Sequence, residues 1–129
     1  MMMTSTAPNG EPMMPLNLTP ERANRPVDLV HLSRHTFGDR NLEREVLALF
    51  LRQSRQCIAR LKAGPASDDR RIVAHTIKGS ARGIGAWRVA EIAGEVEANA
   101  AEDGVATLVA ELDRAIGDTN GFIEGLLVG

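Results

Sequence analysis

Apolar residues recur every three or four positions from Val27 onward, and no stretch alternates at every second position for long enough to make a strand. The pattern predicts five helices. A short first helix covers 27 to about 37. Gly38-Asp39 breaks it, and Asp39 is placed to cap a long second helix over about 40–62. The apolar stripe of that helix is Leu42, Val46, Leu49, Phe50, Cys57, Ile58 and Leu61. Gly64-Pro65 ends it. Ser67 or Asp68 then caps a third helix running to about Arg82, and Gly83-Ile84-Gly85 makes the next turn. A fourth helix follows over 86 to about 101, with Val89, Ala90, Ile92, Ala93 and Val96 as its stripe. After the break at Glu102-Asp103-Gly104, a last helix covers about 105–127 and uses Leu108, Val109, Leu112, Ile116, Phe122 and Ile123. Short connections make sequential helices antiparallel neighbours. The expected fold is all-α: an antiparallel, up-down-up-down four-helix bundle with a short extra N-terminal helix over one end.

The first 26 residues break this pattern. They hold all five Met and five of the six Pro, which is the composition of a disordered arm. The 129 residues therefore divide into an arm over 1–26 and one helical domain over 27–129. Fifteen basic against seventeen acidic residues leave a net charge of −2, which argues against a nucleic-acid coat protein, and three Phe, one Trp and no Tyr leave little for base stacking. No apolar run is long enough to span a bilayer, and the start of the chain lacks the basic and apolar regions of a signal peptide. The lone Cys57 cannot form an internal disulfide and falls on an apolar stripe, so it reads as a core residue. A cytoplasmic protein is expected, with a monomer as the default because each apolar stripe can be satisfied within one chain.

Charge is segregated by helix. The second helix with its cap carries six basic and three acidic residues, and the third carries four and two. The fourth with its break carries one basic and five acidic residues, and the last carries one and four. Attraction between neighbouring helices explains this blandly; a basic docking side explains it more sharply.

The third helix carries the candidate chemistry. At 100° per residue, Val73, Ile77, Ser80, Ala81 and Ile84 cluster on one face, which must be the core. His75 falls opposite, with Arg71, Lys78, Gly79 and Arg82 all within about 60° of it. Lys78 is one of only two lysines against thirteen arginines, and at i+3 it places an ammonium beside the imidazole. Gly79 sits mid-helix at a cost of about 1 kcal/mol relative to Ala. Its missing side chain lets a second protein approach the ring closely. Arg71 and Arg82 add positive potential to the same face. An exposed imidazole, a nearby cation and a cleared approach suit a nucleophile that accepts a phosphoryl group from a protein donor.

His75-Thr76-Ile77-Lys78-Gly79-Ser80-Ala81, followed by Gly83-Ile84-Gly85-Ala86, resembles the signature of histidine-containing phosphotransfer (HPt) domains. The likeness continues through Val89-Ala90 and Val96-Glu97 and extends loosely over 27–127. It implies that His75 is phosphorylated on its ring, that Lys78 helps with the phosphoryl oxygens and that Gly79 admits the partner. It also implies that Glu97 matches a glutamate that, in chemotaxis-type members, accepts a hydrogen bond from the phosphorylatable histidine. Hairpin geometry places His75 level with residue 92 or 93, leaving Glu97 roughly 6–7 Å further along, within reach only of a long side chain. An ordinary surface glutamate is the alternative.

The implied partners are receiver domains of response regulators or hybrid histidine kinases. The receiver would supply Mg²⁺, and this chain would need no cofactor of its own. It would be a phosphocarrier and co-substrate, not an autonomous enzyme: no Gly-rich nucleotide loop is present, and Thr76 stands where dimerisation-type kinases carry an acidic residue. The bundle fills the chain to its end, so a free-standing relay between receiver aspartates is expected. Two other readings remain: a chemotaxis-type substrate module phosphorylated by a separate ATP-dependent kinase, and a non-catalytic helical adaptor. Ile72, bordering His75, is either a dry contact for a receiver or a half-buried bundle position. His31 and His35 have metal-ligand spacing but no third ligand, and read as exposed surface histidines. Trp87 reads as a partly buried cap.

Overall fold

A computed structural model describes residues 25–128. The arm expected over 1–26 lies outside the described residues except for Arg25 and Pro26. Among the described residues there are five helices and no strand: α1 (Leu29–His35), α2 (Arg40–Lys62), α3 (Ser67–Ile84), α4 (Trp87–Ala98) and α5 (Val105–Val128). The four longer helices pack in a ring, α2 on α3, α3 on α4, α4 on α5 and α5 back on α2, while α1 lies on α3. Ion pairs between Arg55 and Glu124 and between Lys62 and Asp113 follow the antiparallel run of α2 and α5.

Local chemistry sets the helix ends. Asp39 caps α2 as expected, its side chain accepting from the backbone N–H of Leu42 at 3.1 Å. The expectation that Ser67 or Asp68 caps the third helix is corrected. Ser67 is already helical, and the N-cap is Ala66, whose side chain makes no capping bond. Asp68 and Asp69 occupy the first turn instead, where the helix dipole favours negative charge. At the other end α3 runs on through Gly83 and Ile84. Gly85, in the left-handed region at φ +76°, closes it, with its N–H on the Arg82 carbonyl and the Ala86 N–H on the Ala81 carbonyl. The turn between α3 and α4 is therefore only Gly85-Ala86. Helix α4 stops at Ala98, short of the expected 101. The Asn99 side-chain amide donates to the Glu95 carbonyl at 2.8 Å, which competes with continued helix.

Burial follows the predicted stripes with two corrections. On α2, Leu42 and Leu49 are 39% and 53% exposed, while Leu47 and Leu51 are buried. The apolar surface of α2 is wider than its core contact, and Leu42, Val46 and Leu49 line an open groove of about 310 Å³ between α1, α2 and α3. Ser80, expected in the core, is half-buried at the edge of that groove and donates to Gln53 Oε1 at 2.6 Å. The centre of the bundle is apolar: Ile77, Ile84, Leu112 and Ile123 are essentially inaccessible, each such side chain contributing about 1.5–3 kcal/mol by burial. Cys57 is buried as expected, and that burial pushes its thiol pKa up against the weaker opposing pull of Arg60.

Helix α1 is held by a knot that the sequence pattern does not announce. Asp28 is wholly buried. Its carboxylate accepts from the His31 backbone N–H and from Trp87 Nε1, both at 3.1 Å, and its own N–H donates to the Gly85 carbonyl at 3.0 Å. Trp87 is partly buried, as expected. His31 departs from its reading as an exposed surface residue: its ring packs against Trp87 and His35, and Nε2 donates to the Arg82 carbonyl at 2.9 Å. His35 is exposed.

Gly85 is the point where α1 comes closest. A Cβ there would lie 2.7 Å from Asp28 Cβ and 3.1 Å from the Asp28 backbone N and O. Gly85→Ala combines that clash with a left-handed φ, and should lower unfolding free energy by about 2–4 kcal/mol in urea titrations. A change below 0.5 kcal/mol would show that the knot is not a tight constraint.

Candidate functional site

The site lies along the outer side of α3. His75 is exposed, with 69% of its side chain accessible. Its place follows from the helical period: Val73, Ala74 and Ile77 are buried on the far side and hold α3 in register. Toward α4, one row of α3 carries Ala74, Lys78 and Ala81, and a facing row of α4 carries Ala90, Gly94 and Glu97. Ala74 and Ala81 are fully buried and Ala90 nearly so. Small side chains let the two helices approach closely, and α3 against α4 is the most extensive interface in the fold.

That approach brings Glu97 to the ring. His75 Nδ1 lies 2.9 Å from Glu97 Oε2, and Lys78 Nζ lies 2.6 Å from Glu97 Oε1. The hairpin estimate that left Glu97 a turn beyond His75 is corrected. The turn holds only two residues and adds no offset, so Glu97 is level with His75. One carboxylate thus joins an imidazole and an ammonium. Lys78 and Glu97 are largely covered, at 20% and 23% exposure, while the ring stays open. The Lys78 ammonium beside it is the main cause holding the Glu97 pKa below its ordinary value. Burial opposes it, and the His75 hydrogen bond adds to it. An ionised carboxylate only accepts, so Nδ1 carries the proton. In the neutral ring this leaves the Nε2 lone pair without a partner among the described residues, on a ring that is mostly exposed.

The cations on this face do not all behave as their spacing suggests. The Lys78 ammonium reaches across to α4 rather than standing free beside the imidazole. Arg71 is tied to Asp68 at 3.0 Å, one turn back, so its charge is locally neutralised. Arg82 is exposed, and its guanidinium makes no ion pair or hydrogen bond with the described residues. Gly79 has open space where a Cβ would be. Ile72 is exposed rather than half-buried, and its carbonyl accepts from the Thr76 hydroxyl at 3.0 Å.

Two residues of the site escape the sequence reading. Gly94 lies under the aliphatic stem of Lys78, where an added Cβ would sit 3.5 Å from Lys78 Cδ. Its signal was a glycine in mid-helix, one turn from Glu97. Gln53, which anchors Ser80 from α2, carried no signal at all. Among the described residues, no three His, Cys, Asp or Glu side chains cluster in a way that could hold a metal ion.

A family model described as an Hpt domain matches residues 45–119, more than half of the chain and the whole of α3 and α4. No curated protein and no solved structure matches.

Ionisation of Glu97 should appear in acid stability. A carboxyl whose folded pKa is depressed contributes stability in full above its ordinary value, and loses it as pH falls through the lower folded value. Urea midpoints for the wild type and Glu97→Gln should differ most near pH 7 and converge below the usual carboxylate range. A gap that stays constant from pH 7 to pH 3 would mean that the ionised form is not favoured in the folded chain.

Proposed function

The chain belongs to the Hpt domain family, and from that premise we propose that it relays phosphoryl groups between receiver-domain aspartates through His75. Family membership makes it a histidine-containing phosphotransfer domain, a phosphocarrier module of phosphorelays rather than an autonomous enzyme. The assignment of His75 rests on one observation above the others: an exposed imidazole whose Nδ1 is held by a carboxylate, leaving Nε2 turned to solvent.

In this reading the donor is an aspartyl phosphate on a receiver. Nε2 attacks phosphorus in line, the N–P bond forms, and the acyl O–P bond breaks to return a carboxylate to the receiver. The positive charge that develops on the ring stays next to the Glu97 carboxylate through the Nδ1 proton. Lys78 shares that carboxylate and fixes its position; its ammonium is also the nearest cation for the phosphoryl oxygens. The open space at Gly79 admits the receiver backbone, and exposed Ile72 gives a dry margin to the contact. The Mg²⁺ of the transfer belongs to the receiver, and the two proteins meet in the cytoplasm. No helix of the described residues is long and apolar enough to cross a membrane.

A second reading has one observation in its favour. The glutamate–histidine bond is the arrangement that the resemblance implies for chemotaxis-type modules, which take their phosphate from a separate ATP-dependent kinase. The source of the first phosphate separates the two.

Wild type and His75→Gln should be incubated with receivers already charged with phosphate, and acid-labile phosphate on the small protein measured. Label on the wild type alone is the expected result. Labelling by a kinase and ATP, with none from any charged receiver, would favour the substrate module; label persisting on His75→Gln would sink both readings. Gly79→Gln should raise helix stability by up to about 1 kcal/mol, since a Cβ there meets nothing within the chain, while slowing transfer from a receiver at least tenfold. Transfer at the wild-type rate would remove the access role of Gly79.

A further inference from the structure

We propose that Arg82 is a specificity residue: it pairs with a carboxylate on the receiver surface and so selects which receivers exchange phosphate with His75. The proposal rests on the phosphocarrier reading and deepens it.

Three cations share the face of His75, and the structure separates them. Lys78 is committed to Glu97 and Arg71 to Asp68. Arg82 alone of the three has no side-chain partner among the described residues. Its backbone, in contrast, is pinned. The Arg82 carbonyl accepts from His31 Nε2 at 2.9 Å and from the Gly85 N–H at 3.2 Å. Gly79 and Gly83 stand three residues before it and one after, and an added Cβ at either would meet nothing within 4 Å. A surface descending on α3 therefore meets a fixed, bare stretch of backbone carrying one uncommitted guanidinium. Beside it, Gly83 borders the groove that exposed Leu42 and Leu49 line.

Spacing decides what this guanidinium meets. Arg82 follows His75 by two turns, about 10 Å along the helix axis. Side chains on a helix lean toward its N-terminus, so both groups lean the same way and keep that separation. A phosphoryl group on His75 Nε2 is thus out of reach, and Arg82 lies against the protein that delivers it. The complementary chemistry is a carboxylate, which the planar guanidinium grips with two hydrogen bonds where a lysine would offer a point charge. A receiver is the partner that fits, because in the phosphocarrier reading it is the protein that must come against this face of α3 to reach His75, and Arg82 is the one cation of that face left without a side-chain partner among the described residues. A charge at the rim of such a contact acts chiefly on the rate of encounter and on discrimination between partners.

The full-length chain should be tested as wild type, Arg82→Ala and Arg82→Glu. Arg114→Ala on α5, across the ring from α3, is the charge-matched control. Each is labelled by a panel of charged receivers and, separately, by phosphoramidate, a small donor with no docking surface. With the cognate receiver, kcat/KM is expected to fall several-fold for Arg82→Ala and at least about tenfold for Arg82→Glu, with a weaker dependence on salt. Labelling by phosphoramidate should be unchanged, Arg114→Ala should match the wild type, and the ranking of receivers should shift in both Arg82 variants. Equal slowing with phosphoramidate, or a shortened phosphohistidine lifetime, would overturn the proposal in favour of a contact with the phosphoryl group itself. Wild-type transfer rates from every receiver would overturn it outright. Failure of the phosphocarrier reading looks different: the wild type then takes label from no receiver at all, and the inference falls with it.

Discussion

The close approach of α3 and α4 is the constraint on which the site depends. Alanines at 74, 81, 90 and 93 are all buried, and they leave the two helices little to pack between their backbones. Small residues along the seam leave room for Glu97 to reach the imidazole and for Lys78 to lay its stem over Gly94. A leucine in this seam would add core volume and separate the two halves of the site. The sequence therefore gives up apolar bulk in this part of the bundle and recovers it elsewhere, through Phe50, Leu61, Leu112 and Ile123 on α2 and α5.

The site is a division of labour among charges. The one carboxylate at its centre is shared by an ammonium and an imidazole. Lys78 keeps Glu97 ionised, and ionised Glu97 keeps the imidazole proton on Nδ1. One ring nitrogen is thus held from behind, by groups that are themselves largely covered, while most of the ring stays in solvent. In the proposed transfer this arrangement would prepare the ring, while the described residues gather no cluster of donors around its open edge. In that proposal the partner would bring much of the transition-state stabilisation.

Much of this was legible in the sequence, and the gaps have physical causes. The helices, most of their ends and the outward face of His75 follow from period and capping residues, which are local. Ser67 misled because capping residues are also common in a first turn, and here Asp68 and Asp69 favoured an earlier start. The level of Glu97 was missed because it depends on how many residues the turn holds, and the two further helical residues Gly83 and Ile84 moved it. The loss of the free charge on Arg71 was readable, since Asp68 stands at i−3. The role of Asp28 was not readable, because its partners Trp87 and Gly85 come from a distant part of the chain. His31 likewise looks like a surface residue until α1 is laid against the end of α3.

The knot at Asp28 also bears on where the domain begins. The matched family span opens at residue 45, inside α2, and leaves α1 out. Yet Asp28, the N-cap of α1, supplies the acceptor for the Trp87 indole and the donor to the Gly85 carbonyl, and α1 itself forms one wall of the groove beside the site. A chain trimmed to the matched span would leave the Trp87 indole N–H and the Gly85 carbonyl without these partners, less than three turns beyond His75. Among the described residues, the contacts that close this end of the bundle begin at buried Val27 and Asp28, well ahead of the matched span.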